Sequence, residues 1–289
     1  MSEIINLIKG NPDDHVYSDA VEILCEELEE DYSFILQVWK HEMPTKTKYP
    51  KVLISTSDES HRLPDQIFDP SFVHIFKQYA PLDNRRIVKK VRGVSALPLC
   101  HLKGFENYDI PISERTYDWA WMGQYDPYTR GHFKAAVDLL ERERPHYNKH
   151  VLWYQGWNNG SGMEEYTNVM NNAKIALVPI GSGSVESFRF FEAMMCGCVV
   201  LNTSLPDVPF YNAAPHVNID KGWRTLNETV DRLLGAKGEM EDYSQKAKKW
   251  YEEFCSPRSL ANYMAARLQS NGEEGEVVYP KTGGPYNEK

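Results

Sequence analysis

This 289-residue sequence predicts an α/β fold built on a doubly wound parallel sheet. Three observations carry that reading. In the second half, short apolar runs alternate with amphipathic stretches of helical period and 10 to 15 residues, the pattern of right-handed βαβ units. Runs such as "KIALVPI" and "CVVLNT" are rich in β-branched residues, as in strands covered on both faces. The segments that follow them are rich in Gly, Ser, Asn and aromatics, which suits ligand loops at the carboxyl ends of such strands.

Taken in order, residues 17–40 place Val21, Leu24 and Leu28, then Phe34, Ile35 and Val38, at helix-like spacing, so one helix or two are expected there. The charge run "EELEEDY" reads as a solvated face. "KVLIST" (51–56) reads as a buried strand that opens into the polar loop "SDESHRLPD", and "FVHIFKQYA" (72–80) as a second strand. Residues 83–118 hold one short strand and then an interdomain passage, with a linker near 105–116. Beyond it come strand 117–123, helix 129–144, strand 150–157, helix 163–173, strand 174–180, helix 185–196, strand 198–203, a short run at 216–220 and helix 225–235. Residues 240–270 read as one or two helices broken near Pro257. Two domains follow, 1–110 and 111–255. A terminal helix at 256–270 is placed to cross back to the first domain, and the polar tail at 271–289 is expected to be flexible.

Composition excludes several functions. At 42% hydrophobic and 12% aromatic content the chain can bury ordinary cores. No apolar run approaches the roughly 18 to 20 residues of a membrane span, and the first 25 residues mix acidic and apolar positions, so neither an integral membrane segment nor a secretion signal is expected. An odd set of cysteines, Cys25, Cys100, Cys196, Cys198 and Cys255, suits reduced thiols in a cytoplasmic compartment, with Cys196 and Cys198 read as small buried hydrophobes. A net charge of −9 argues against nucleic acid as the main partner, while leaving room for a small anion held by a few placed arginines. Oligomeric state is not legible.

The stretch "GSGSVESFRFFEAMMCGCVV" (181–200) concentrates the chemistry. Gly181 and Gly183 let backbone approach a ligand, and the first N–H groups of the next helix favour an anion. With Ser184 as N-cap and Gly197 as C-terminal cap, the helix is expected over about 185–196. At roughly 100° per residue, Glu186 and Glu192 flank Arg189 by about 60° on either side, one polar stripe in an otherwise apolar helix. Two readings are open. The stripe is either a chain of intrahelical salt bridges or a site in which Arg189 meets a phosphate and Glu192 a ribose.

The segment "AKIALVPIGSGSVESFRFFEAMMCGCVVLNT" resembles the donor-binding part of GT-B glycosyltransferases, particularly the exostosin-like group. There, a Ser-containing loop precedes S-x-R-x-x-E-A, then Gly-Cys and an apolar strand; here those positions are Ser187, Arg189, Glu192, Ala193, Gly197 and Cys198. "LPLCHLKGF" (97–105), "YDWAWMGQ" (117–124) and Arg130 are similar to the group's linker, first C-terminal strand and following arginine. The similarity spans about 97–203 and leaves the N-terminal third uncovered.

The resemblance implies a GT-B-like protein of two Rossmann-like domains with a nucleotide-sugar cleft between them, the first on the acceptor side. It implies transfer of a hexosyl or pentosyl group from a nucleoside-diphosphate sugar to a hydroxyl of a saccharide, in glycan biosynthesis. Gly123 and Gln124 would face the diphosphate, Arg130 or Arg189 neutralise it, Ser184 and Ser187 add hydrogen bonds, and Glu192 hold the ribose, with the base near Trp157. No cofactor beyond that co-substrate is expected and no metal, because arginines and helix N–H groups can carry the charge of a departing diphosphate and no D-x-D stands at a strand end. Eight residues after Glu186 stands Met194 rather than a second Glu, so an inverting course is favoured. That course needs a base, for which Asp58, Glu59 and His61 in the loop after strand 51–56 are candidates beside their reading as turn and capping residues. A nucleotide-sugar epimerase and a non-catalytic nucleotide-sugar-binding module on the same scaffold are the alternatives.

The remaining candidates are expected to be structural. His132, His146, His150 and His216 lack ligand spacing, Trp119, Trp121 and Trp153 read as core, and the serine loop matches neither G-x-S-x-G nor a P-loop.

Overall fold

In the computed structural model the described residues are 1–7, 14–38, 46–56, 69–79, 82–83, 86–87, 93–156, 160–181, 184–203, 205–206 and 208–270. The chain divides into two compact units. Unit 1 contains Met1–Lys103, Pro206–Asn212 and the stretch from Glu253; unit 2 contains Gly104–Leu205 and Ala213–Glu252.

Unit 1 is a five-stranded sheet in which every pairing is parallel. Its strands are β1 (Glu3–Asn6), β2 (Ser33–Val38), β3 (Lys51–Thr56), β4 (Phe72–Gln78) and β7 (Val94–Leu97), and they lie in that order. A two-strand antiparallel ribbon, β5 (Leu82–Asp83) with β6 (Arg86–Ile87), interrupts the last crossover. Ile35, Leu53 and Ile75 from three adjacent strands form a buried cluster. Helix α1 (Asp14–Glu27) packs against α8 (Pro257–Gln269), and Tyr263 of α8 donates to the Ala96 carbonyl at 3.0 Å.

One expectation fails in this unit, and one strand has no counterpart in the sequence reading. Residues 33–38 form a strand, not helix: β2 is an inner strand buried on both faces, and its continuous run Phe34-Ile35-Leu36 imitates helical spacing when combined with Val38. The four-residue strand β1 carries too short a pattern to register and was not expected at all.

Unit 2 follows the sequence closely. It contains β8 (Tyr117–Gln124), α2 (Pro127–Glu143), β9 (Lys149–Tyr154), α3 (Met163–Asn171), β10 (Ala173–Val178), α4 (Phe188–Cys196), β11 (Val199–Asn202), β12 (Val217–Asn218), α6 (Leu226–Gly235) and most of α7 (Lys237–Cys255). The intervening α5 (Pro209–Asn212) belongs to unit 1. All strand pairs are again parallel, in the order β9-β8-β10-β11-β12. The chain crosses from β9 back over β8 to β10, so the order reverses between β8 and β10, and a ligand crevice belongs at the carboxyl ends of those two strands.

Alternation along β8 divides the core. Trp119 and Trp121 join Phe133 and Val137 of α2 on one face, and Ala120 and Met122 meet Val169 of α3 on the other. At the amino edge, away from the crevice, Arg115 is buried with its guanidinium donating to Ile110 O, Ala173 O and Cys196 O, which fastens the incoming segment to the end of α4. Cys196 and Cys198 are fully buried beside it, and burial pushes both thiols up from their ordinary range. None of the described helices is long and apolar enough to cross a membrane.

Candidate functional site

At the carboxyl edge of the unit 2 sheet stand the end of β8, the start of α2, the residues leaving β10 and the first turn of α4. Asp126 caps α2: its carboxylate accepts from the Tyr128 amide at 2.9 Å and the Thr129 hydroxyl at 2.8 Å. Those bonds, the hydroxyl first, hold its carboxyl below the usual range, and they fix the turn from which Arg130 projects.

Arg130 is 3% exposed, and its Nη1 donates to Gln124 O at 2.7 Å while its Nε donates to Ile180 O at 3.1 Å. One guanidinium thus ties the exit of β8 to the exit of β10. Its place in the sequence suggested charge neutralisation; its observed bonds brace the two strand ends of the crevice.

Arg189 enters from α4. Its Nε donates to Met122 O at 2.7 Å, and its guanidinium carbon lies 5.1 Å from the centroid of the Trp121 ring. The guanidinium of Arg130 lies 5.5 Å from the centroid of the same ring. Because α4 packs with α3, on the Ala120 and Met122 face, and Trp121 lies on the α2 face, the Arg189 side chain crosses the carboxyl edge of the sheet. Two cations therefore converge on one indole at the switch point.

Gly123 makes that convergence possible. A Cβ there would stand 2.6 Å from two atoms of the Trp121 indole and 3.1 Å from Nη2 of Arg189. Gly181 has a similar constraint, since its Cβ would stand 2.9 Å from Ser184 O and 3.0 Å from Glu186 O.

That tight loop corrects the sequence reading of the helix. Ser184 is not the N-cap; its hydroxyl accepts from the Glu186 amide at 2.9 Å in a local turn, and Ser187 is the N-cap of a helix that begins at Phe188. Glu186 therefore lies before the helix and outside the expected stripe, although it is buried. At the other end Gly197 takes the left-handed conformation (φ 71°, ψ 34°) expected of a C-terminal cap.

Glu192 is 1% exposed and its Oε2 accepts from the Tyr166 hydroxyl at 2.6 Å. Burial, then the Glu192 charge, pushes the phenol well above its ordinary range, so Tyr166 keeps its proton and donates a hydrogen bond to Glu192. Sequence reading missed Tyr166, which lies on α3 and is joined to Glu192 only by the packing of α3 on α4.

The structure thus brings together Gly123, Gln124, Arg130, Ser184, Ser187 and Arg189 around the ends of β8 and β10, with Glu192 on the next turns of α4. Asp58, Glu59, His61 and Trp157 lie outside the described residues. Among the described residues no cluster of three or more His, Cys, Asp or Glu is arranged to hold a metal ion.

No family model matches this sequence, and no curated protein is similar to it. Solved structures are. AviGT4, a glycosyltransferase involved in avilamycin A biosynthesis, is 13% identical, with a TM-score of 0.53 over 93% of this chain and 98% of that one. An alpha-glucosyltransferase in complex with UDP gives a TM-score of 0.52 at 9% identity, over 93% and 91% of the two chains. Sucrose-phosphate synthase from Thermosynechococcus elongatus gives 0.50 at 10% identity, over 91% and 79%. Two parallel α/β sheets with interleaved helices, in this order along the chain, are the fold of GT-B glycosyltransferases.

Proposed function

We propose that this chain is a glycosyltransferase that binds a nucleoside-diphosphate sugar at the carboxyl ends of β8 and β10 and transfers the sugar to a hydroxyl acceptor. The observation that carries the reading is the convergence of Arg130, Arg189 and the N-terminus of α4 at the switch point of the unit 2 sheet. Nε of Arg189 is committed to Met122 O, which leaves the two Nη groups on a fixed mount as donors for an anion. The first N–H groups of α4 add donors with no intrahelical acceptor. The fold likeness to an alpha-glucosyltransferase solved with UDP supports the same class of ligand, and the S-x-R-x-x-E-A match supports an exostosin-like donor segment.

In the proposed reaction, the acceptor oxygen attacks the anomeric carbon as the bond to the diphosphate breaks, and the electron pair leaves on the β-phosphate oxygen. Arg189 and the α4 N–H groups stabilise that charge without calling on a metal. The acceptor proton passes to a general base, for which Asp58, Glu59 and His61 are the candidates from the sequence, and the sugar inverts. Glu192, oriented by Tyr166, takes the ribose hydroxyls.

The test is turnover. The chain is incubated with UDP-, GDP- and CMP-sugars and a saccharide mixture, and release of the nucleotide is followed. Acceptor-dependent release that falls at least a hundredfold in Arg189→Ala supports the reading; no release from any donor, or release unaffected by that substitution, contradicts it.

A further inference from the structure

Asn202 closes β11 and is 1% exposed. Its backbone is held on both sides, in register with Val178 of β10 and Asn218 of β12, and its carbonyl accepts from Ile219 N at 2.9 Å. Val199 and Leu201 enter the core shared with α2 and α6, so alternation turns the Asn202 carboxamide to the opposite face, where α4 packs on β11. There its Oδ1 is buried and has no hydrogen-bond partner among the described residues. Folded proteins rarely leave such an atom unpaired, and of the nine described side-chain atoms in this condition Asn202 Oδ1 is the one at the carboxyl end of β11.

The surroundings specify the ligand group. Asn202 stands at the carboxyl edge of the sheet, one strand from β10 and on the face of α4, whose N-cap Ser187 makes no side-chain capping bond. An amide oxygen only accepts, so its partner must donate. Phosphate oxygens of a nucleotide carry no proton to give at neutral pH; a sugar hydroxyl does.

We propose that Asn202 is a specificity-determining residue whose Oδ1 accepts a hydrogen bond from a hydroxyl of the sugar carried by the bound nucleotide. This rests on the donor-site reading above. A rigidly mounted buried acceptor discriminates strongly against a ligand that lacks the matching hydroxyl, because the acceptor is then left unpaired.

The experiment compares the wild-type chain with Asn202→Leu, binding UDP, GDP and their glucose esters, and records the melting temperature of each unliganded protein. The substitution replaces an unpaired polar atom with an apolar group of similar volume. The expected result is an unliganded melting temperature equal to or above wild type, affinity for the free nucleotide within twofold, and affinity for the nucleotide sugar at least tenfold weaker. Equal losses for nucleotide and nucleotide sugar would place Asn202 on the ribose or base of the nucleotide and overturn the inference. Unchanged affinity for the nucleotide sugar would overturn it too, whatever the melting temperature. A wild-type chain that binds none of the probes overturns the donor-site reading, and this inference with it. Should Asn202→Leu fail to fold, Asn202→Ala carries the same comparison.

Discussion

Arg189 donates from Nε to the Met122 carbonyl at 2.7 Å, which fastens the first turn of α4 to the exit of β8. This bond uses the one guanidinium nitrogen that a lysine cannot imitate. Arg189→Lys keeps the charge but loses both the strand contact and the planar fork, so nucleotide affinity should fall roughly tenfold or more, about 1.4 kcal/mol. Calorimetric titration with the preferred nucleotide reads this directly; affinity retained in the lysine variant would mean that charge alone matters there.

Gly123→Ala tests the packing behind the site. The new Cβ would sit 2.6 Å from the buried indole of Trp121, which has no room to retreat between Phe133 and Trp153, and 3.1 Å from Arg189. Overpacking of this kind costs about 1–3 kcal/mol. Both the thermal midpoint and nucleotide affinity should fall, and Trp fluorescence should shift with them.

Arg115→Leu tests the clip at the amino edge of the unit 2 sheet. It would strip hydrogen bonds from the carbonyls of Ile110, Ala173 and Cys196. Leaving several such acceptors unpaired costs about 3 kcal/mol or more. A reduced urea midpoint is expected; a midpoint like that of wild type would show that water replaces the guanidinium.

Unit 1 should weaken in mild acid. Burial, with a smaller contribution from Arg267, lowers the His74 imidazole to about 4. The unfolded histidine titrates near 6.5, so the unfolded state binds the extra proton first as pH falls. Stability is complete above about 6.5 and is lost progressively down to about 4, by as much as about 3 kcal/mol. His101, lowered to about 4 chiefly by burial and then by His15, acts in the same direction. Denaturation at pH 7 and pH 5 should show the loss, and His74→Gln should reduce it.

Much of unit 2 was legible because its strands and helices each satisfy one period and end in recognisable caps; Gly197 is the plainest case. The start of α4 was not. Ser184 and Ser187 are equally good N-caps on paper, and the choice is made by the close approach of Gly181 to the Ser184 and Glu186 carbonyls, a contact no local pattern reports. The same limit hid Tyr166 and Asn202, whose roles arise from packing between elements. Arg115 was unreadable for a related reason: its acceptors are backbone carbonyls at distant positions, which leave no mark in the residue types. In unit 1, β2 was mistaken for helix because an inner strand buried on both faces has no alternation to betray it.

The central claim is that the ends of β8 and β10 with α4 form a nucleotide-sugar donor site. Thermal-shift measurement of the chain against UDP, GDP and CMP and their sugars, with Arg189→Ala and Glu192→Ala alongside, tests it most directly. The account predicts that one nucleotide class raises the melting temperature of the wild-type chain, and that both substitutions sharply reduce the rise. No rise with any nucleotide, or a full rise in both variants, would contradict it.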